Sequence, residues 1–444
     1  MVDLTNPAES DRREDVKQPA RPPLLQVLGP GLITGASDDD PSGIATYSQA
    51  GAQFGFDLGW TLLFSWPLMC AIQEISARIG RVTGRGIAGN LRHNYPRLVV
   101  YALVTLLLVA NVINLGADLG AMGAAAILVV GDGHAERGGP MFLWVAGFGL
   151  LICFLEIFVR YARYVSILKW LTLSLFAYVG VAFVVHMPWG EVVERLFIPK
   201  IQLTAPYLTV VVAVLGTTIS PYLFFWQAEE EVEEVKESPE AKPLAYAPEQ
   251  APKELSRIRL DTYLGMGLSN VVALFIMLTT AATLHAHGVT DIQTSSQAAL
   301  ALRPIAGPFV FFVFALGIVG TGLLAVPVLA GSAAYAVGEI FGWRVGLARK
   351  LKRAPRFYGV LIASMIVGAG LNFVHIDPIK ALFWSAVING VVAVPMMVMI
   401  MLMAARRKVM GDFTLGPFLK GMGWLATAVM GAAAVGMFAT MGQT

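Results

Sequence analysis

The chain has 444 residues, of which 56% are hydrophobic and 14% charged, with a formal net charge of +2 and a mean hydropathy of +0.66. A soluble domain carries roughly 25% charged residues, so a soluble globular protein is excluded, and so small a net charge gives no footprint for nucleic acid. The two cysteines, Cys70 and Cys153, both lie in apolar runs and offer neither a disulfide framework nor a metal motif.

Residues 1–24 are polar and contain Pro7, Pro19, Pro22 and Pro23. They are expected to form a disordered tail and not a signal peptide, because they lack an apolar core. From Gly31 onward, apolar stretches of about 20 residues recur, the length a helix needs to cross a bilayer. A transmembrane barrel would show short alternating segments instead. The expectation is an all-α polytopic membrane protein with eleven transmembrane segments. These lie near 28–53, 58–80, 98–130, 140–159, 163–186, 205–228, 261–286, 307–338, 357–374, 378–404 and 417–440.

The links between segments set the orientation. The 2–3 link carries Arg78, Arg81, Arg85, Arg92 and Arg97, and the 8–9 link Arg344, Arg349, Lys350, Lys352, Arg353 and Arg356. Arg406, Arg407 and Lys408 follow segment 10, while the 3–4, 7–8 and 9–10 links are poor in Lys and Arg. The positive-inside rule then places the N-terminus in the cytoplasm and the C-terminus outside, in what should be a bacterial inner membrane. The longest link, 229–259, opens with Glu229-Glu230-Glu231-Val232-Glu233-Glu234 and reads as a solvated cytoplasmic loop. The chain is expected to work in the lipid bilayer as a monomer or homodimer, without cofactor or nucleic acid.

Two apolar segments are broken. Segment 1 contains Asp38-Asp39-Asp40-Pro41-Ser42-Gly43, and segment 6 contains Gly216-Thr217-Thr218-Ile219-Ser220-Pro221-Tyr222. Proline removes an N–H and strains the preceding turn. Irregular backbone survives at membrane depth only where protein buries it or it lines a cavity. The breaks hold matching places in segments 1–5 and 6–10. Such a pair points to an inverted-repeat transporter whose site lies at the midplane, where freed carbonyls coordinate cations. Repeat one then spans 28–186, repeat two 205–404, and 417–440 is an extra helix, all within a transporter domain of 25–444. Intramembrane carboxylates are functional by default. Asp40, directly before the proline, is the expected ion ligand. Three ionised aspartates at one depth would repel, so Asp38 and Asp39 are assigned to a vestibule, to a pairing with an arginine or to carrying a proton.

Several stretches carry a family resemblance. Gly29-Pro30-Gly31, Asp40-Pro41 and Gln49-Ala50-Gly51-Ala52-Gln53-Phe54-Gly55 resemble the start of the Nramp family of divalent metal transporters. So do Gln73-Glu74-Ile75-Ser76-Ala77-Arg78-Ile79-Gly80-Arg81-Val82-Thr83-Gly84-Arg85, His285-Ala286-His287-Gly288, Leu329-Ala330-Gly331 and Gly342-Trp343-Arg344. The resemblance covers about 25–440. It implies the LeuT-type 5+5 inverted repeat with helices 1 and 6 unwound and an eleventh helix appended. It also implies metal ligands from the backbone carbonyls of Ser37 and Thr217.

The chain departs from that family at the site itself. Where the family reads Asp-Pro-Gly-Asn, this sequence has Asp40-Pro41-Ser42-Gly43; where it reads Met-Pro-His, this has Ser220-Pro221-Tyr222. A second family histidine falls at Gln227, and the family glutamine of helix 8 near Thr321. Of the acidic pair in helix 3 that the family links to proton flow, only Asp118 offers a counterpart. The resemblance therefore implies a metal set of Asp40, Ser37, Thr217, Ser220, Gly43, Tyr222 and Thr321, with Asp118 joining Asp38 and Asp39 as a proton or vestibule candidate. Thioether favours softer transition metals, whereas hydroxyl, carboxylate and carbonyl suit Mg²⁺, Ca²⁺ and Mn²⁺. Loss of the Asn and Met side chains also enlarges the site, enough for a partly hydrated ion. The pattern is similar to the Nramp-related magnesium transporter branch. The expected cargo is Mg²⁺ and/or Mn²⁺, with Fe²⁺ as a further candidate, and proton coupling is left open. The alternatives are a proton-coupled Mn²⁺/Fe²⁺ symporter and a non-transporting metal sensor using the acidic link. No catalytic His-Glu-x-x-His motif or Ser/His/Asp set is present, so an enzyme is not expected.

Other polar residues in apolar surroundings have blander readings. Asn389, like Thr321, suits an interhelical hydrogen bond. His285 and His287 suit a loop role, and Glu74 with Arg78 either an inner gate or a helix-end pair. The run Met396-Met397-Val398-Met399-Ile400-Met401-Leu402-Met403 reads as packing or lipid-facing surface rather than a soft-metal site.

Overall fold

The structure is a computed structural model that describes residues 34–35, 37–131, 139–159, 171–238, 240–374 and 377–442. The expected tail, the start of segment 1 with Gly29–Gly31, and the start of segment 5 lie outside the described residues. No β-strand occurs among those described. The main helices in chain order are α1 (Pro41–Phe54), α2 (Gly59–Thr83), α3 (Ile87–Asn94), α4 (Arg97–Val130), α5 (Met141–Phe158), α6 (Phe176–Val184) and α7 (Trp189–Phe197). They continue as α8 (Ala205–Thr218), α9 (Pro221–Glu237), α10 (Ala251–Thr283), α11 (Val310–Phe341), α12 (Pro355–Leu371), α13 (Pro378–Ala404) and α14 (Pro417–Met441).

Each of the eleven predicted segments carries helix among the described residues. Seven spans there are long and apolar enough to cross a membrane, or eight if α6 and α7, bent by 117° at their junction, form one. Proline opens α1, α9, α12, α13 and α14 at the first helical position, where the missing N–H costs nothing because that group has no intrahelical partner. At the other end, Gly84 closes α2 with φ 66° and Gly342 closes α11 with φ 69°, left-handed conformations that glycine adopts without strain.

α4 is a central post. It packs on α11, α12, α13 and α5, while α8 packs on α13, α9 on α2, and α10 on both α1 and α2. Lipid gives little hydrophobic force between helices, so association rests on close packing of small residues. The α8–α13 crossing shows this: a β-carbon on Gly216 would stand 2.1 Å from the Ala386 carbonyl oxygen and 2.5 Å from the Gly390 nitrogen. Of the methionine run, Met396, Met397, Met401 and Met403 are buried, and the Met401 sulfur packs where a side chain on Gly423 of α14 would stand. The run is helix-packing surface.

The 229–259 link departs from the expected solvated loop. α9 continues to Glu237 and α10 begins at Ala251. Glu229 and Glu231 are buried. Arg257 of α10 gathers Glu231 at 2.6 Å, Glu234 at 3.0 Å and Glu254 at 3.0 Å. Even the middle of the link is docked: Leu244 and Ala245 donate N–H groups to the carbonyls of Arg81 and Val82. The charge run misled at Glu231, Glu233 and Glu234 because long amphipathic Glu and Arg stems can be buried once their charges are paired.

Candidate functional site

Segment 1 breaks at the expected residue. Asp40 is extended, with φ −69° and ψ 169°, and is the N-cap of α1. Its Oδ1 accepts the Gly43 N–H at 2.7 Å and the Ser42 hydroxyl at 2.6 Å. An aspartate N-cap followed by proline is a strong helix start, because the carboxylate satisfies an orphan amide and meets the positive end of the helix dipole. Segment 6 breaks correspondingly: α8 ends at Thr218, Ile219 and Ser220 leave helical geometry, and α9 starts at Pro221.

The two breaks face each other. A β-carbon on Gly43 would lie 3.1 Å from the Thr217 hydroxyl, 3.2 Å from the Tyr47 ring and 3.4 Å from the Asp38 carbonyl oxygen. Glycine is thus what lets α1 approach the α8–α9 junction. From α9, the Tyr222 hydroxyl reaches Asp40 Oδ2 at 3.2 Å and the Ser37 carbonyl at 3.4 Å. From α4, Asn114 Nδ2 donates to the same Oδ2 at 3.1 Å. Ser385 of α13 in turn donates to Asn114 Oδ1 at 2.6 Å. Tyr222 and Asn114 therefore both stand on Asp40.

The three aspartates diverge. Asp38 Oδ2 and Asp39 Oδ1 lie 2.7 and 3.1 Å from the hydroxyl of Ser269 on α10, whereas Asp40 faces α4 and α9. All three are buried, Asp40 to 1% exposure, and no Lys or Arg is paired with them among the described residues. Asp118 of α4 is also fully buried, and neither of its carboxylate oxygens accepts a hydrogen bond among the described residues. Uncompensated carboxylates in such a place call for a positive partner. No group of three His, Cys, Asp or Glu side chains is arranged to hold a metal among the described residues.

The other candidates sort as follows. The Ser220 hydroxyl donates back to the Gly216 and Thr217 carbonyls at 2.8 and 2.7 Å, and Thr321 likewise donates to Gly317 at 2.9 Å. Gln227 accepts a hydrogen bond from Thr34 across the break. Asn389 is buried with neither side-chain atom hydrogen-bonded. His285 Nδ1 meets the Ala52 carbonyl at 2.8 Å and His287 Nδ1 the Thr283 carbonyl at 2.6 Å, which makes them anchors of the turn after α10. Glu74 is paired with Arg78 and, at 3.6 Å, with Arg259. Arg81 pairs with Glu254 at 3.1 Å. With the Arg257 cluster these pairs tie α2, α9 and α10 together at the end where the basic links lie.

Three residues at the site escaped sequence reasoning: Asn114, Ser385 and Ser269. The signal for the first was available. Asn111, Asn114 and Asp118 recur at helical spacing along segment 3, marking one polar face on an apolar helix. Nothing local marks Ser269 or Ser385.

The family described as natural resistance-associated macrophage protein-like, Nramp, matches residues 31–440. The chain belongs to the Nramp family. A relative named divalent metal cation transporter MntH, from Klebsiella pneumoniae, is 26% identical over 421 residues, 93% of each chain. The Eremococcus coleocola manganese transporter, crystallised with an aromatic bis-isothiourea compound, shares the fold with a TM-score of 0.68 at 17% identity, over 92% of this chain and 85% of that one. MhsT, crystallised with L-phenylalanine, gives 0.61 at 13% identity, over 93% and 97%. This Nramp chain thus has the all-helical LeuT-type fold, and it is an integral membrane protein of a transporter family, not an enzyme.

Proposed function

We propose that this Nramp protein moves divalent metal cations across the membrane into the cytoplasm by alternating access around Asp40. The observation that carries this reading is a buried carboxylate, without a cationic partner, where two broken helices of opposite repeats meet. The MntH relative supports the cargo class. The ligand set we infer is Asp40 with the carbonyls of Ser37 and Thr217, and the hydroxyls of Tyr222 and Ser220 once they turn from their present acceptors. Thr321 is a more distant member, and Gly43 contributes room rather than an atom. Asp38, Asp39 and Asp118 supply negative potential around it.

Such a set contains oxygen only. Hard cations prefer oxygen, and Mg²⁺ keeps several waters when it binds, so we rank Mg²⁺ and Mn²⁺ above Fe²⁺. The N-terminus is placed in the cytoplasm by the basic links. A second reading is a proton-coupled Mn²⁺/Fe²⁺ symporter, favoured by the manganese transporter that shares the fold and by the buried Asp118. The sensor reading loses ground, because Glu231 and Glu234 of the 229–259 link are paired with Arg257, and Glu233 with Lys236.

Uptake of Mg²⁺, Mn²⁺ and Ca²⁺ into proteoliposomes, with and without a pH gradient, tests these readings. Transport of Mg²⁺ that ignores the gradient supports the first. Mn²⁺ uptake that is insensitive to excess Mg²⁺ and acidifies the lumen supports the second. No uptake of any divalent ion refutes both.

A further inference from the structure

We propose that Asn114, oriented by Ser385, is a latch on Asp40 that an arriving cation must displace; this rests on the reading of Asp40 as the cation ligand. A carboxylate offers about four lone-pair sites. At Asp40 four donors fill them: Gly43 N–H and Ser42 on Oδ1, Asn114 and Tyr222 on Oδ2. A metal bond to this carboxylate therefore needs one donor to leave.

The two oxygens are not equivalent. The donors on Oδ1 come from α1 itself, at 2.6 and 2.7 Å, and hold the N-cap. The donors on Oδ2 come from α4 and α9, at 3.1 and 3.2 Å, longer than the 2.7–2.9 Å usual for charge-assisted bonds. Oδ2 is the weaker side and the one the cation takes.

Two groups beside Oδ2 keep an acceptor when a cation arrives. Tyr222 has the Ser37 carbonyl at 3.4 Å as a second acceptor. Ser385 has the Leu382 carbonyl at 2.7 Å, so it stays satisfied when Asn114 moves. Until then Ser385 fixes the amide. An ionised carboxylate only accepts, so Nδ2 faces Asp40, and Oδ1 faces the Ser385 hydroxyl.

The consequence is a link between helices. The path Tyr222–Asp40–Asn114–Ser385 joins α9, α1, α4 and α13, one helix pair from each repeat. A cation on Oδ2 breaks this hydrogen-bonded path between α1 and α9 on one side and α4 and α13 on the other. Asn114 is a positioning residue: it opposes cation binding to Oδ2.

The test measures Mn²⁺ affinity by calorimetry, Mn²⁺ uptake in proteoliposomes, and the Mn²⁺-induced rise in melting temperature. The variants are Asn114→Leu, Ser385→Ala and the double substitution in the full chain. Removing a competitor should tighten Mn²⁺ binding about five- to tenfold in Asn114→Leu while lowering the melting temperature of the metal-free protein and the maximal uptake rate. Ser385→Ala should tighten it by a smaller factor and add nothing in the Asn114→Leu background, because it acts through Asn114. A purely structural role would not raise affinity. Weaker or unchanged Mn²⁺ binding in Ser385→Ala, or additive effects in the double variant, overturns the latch and makes Asn114 a ligand or a packing residue. If wild type itself shows neither binding nor a melting shift with Mn²⁺ or with Mg²⁺, the metal reading falls and the latch with it.

Discussion

Replacing Asp40 with alanine removes four accepted hydrogen bonds and one buried charge at once. Loss of the N-cap costs about 1 kcal/mol. Leaving the Asn114 amide without an acceptor costs about 1–3 kcal/mol, while the Tyr222 hydroxyl keeps the Ser37 carbonyl. Against this, a carboxylate that is 1% exposed and has no cationic partner no longer has to be held out of water, a relief of several kcal/mol. The terms oppose, so folding stability should change by no more than about 2 kcal/mol. Cation binding has no such offset, because the carboxylate is the one charged ligand in the proposed set. Affinity should fall at least hundredfold, about 2.8 kcal/mol at 1.4 kcal/mol per tenfold. Asp40→Asn separates the roles. Its amide oxygen keeps the cap on Gly43, but its NH₂ turns a donor toward Asn114 and Tyr222, so it should fold like wild type and still lose uptake. Metal uptake in proteoliposomes and thermal melting in detergent measure the two arms. Full uptake by Asp40→Ala at unchanged affinity would refute the assignment of the site.

Three further outcomes are expected. Gly43→Ala places a methyl 3.1 Å from the Thr217 hydroxyl; uptake should drop several-fold with little change in melting temperature, and an unaffected rate would mean the two breaks need not meet. Gly216→Ala drives a β-carbon to 2.1 Å from the Ala386 carbonyl, and should destabilise the protein by about 1–3 kcal/mol as overpacking does, read as lost thermal stability. Arg257→Gln leaves Glu231, which is fully buried, without its 2.6 Å partner; breaking a buried pair costs about 3–5 kcal/mol. Labelling of a cysteine placed at the α9–α10 contact should then speed up, and unchanged labelling would show that the cluster does not hold that end closed.

The family, the helical membrane fold and the two breaks were legible in the chain itself. Hydropathy over about 20 residues is a local property, and Asp40-Pro41 and Ser220-Pro221 interrupt their helices through proline's own covalent geometry. Asp40 could be singled out for the same reason, since an acid before a helical proline is a cap wherever it occurs. What stands across from Asp40 was not local. Asn114 and Ser385 are 74 and 271 positions away from their partners in sequence, and no short pattern tells which face of α4 meets which face of α13. The same limit misassigned the acidic run within α9: charge is read residue by residue, but whether Glu231 faces water or Arg257 depends on where α10 returns. The three consecutive aspartates show the division most plainly. Sequence sets them side by side, and only the packing of α10, α4 and α9 sends two to Ser269 and the third to the crossing of the broken helices.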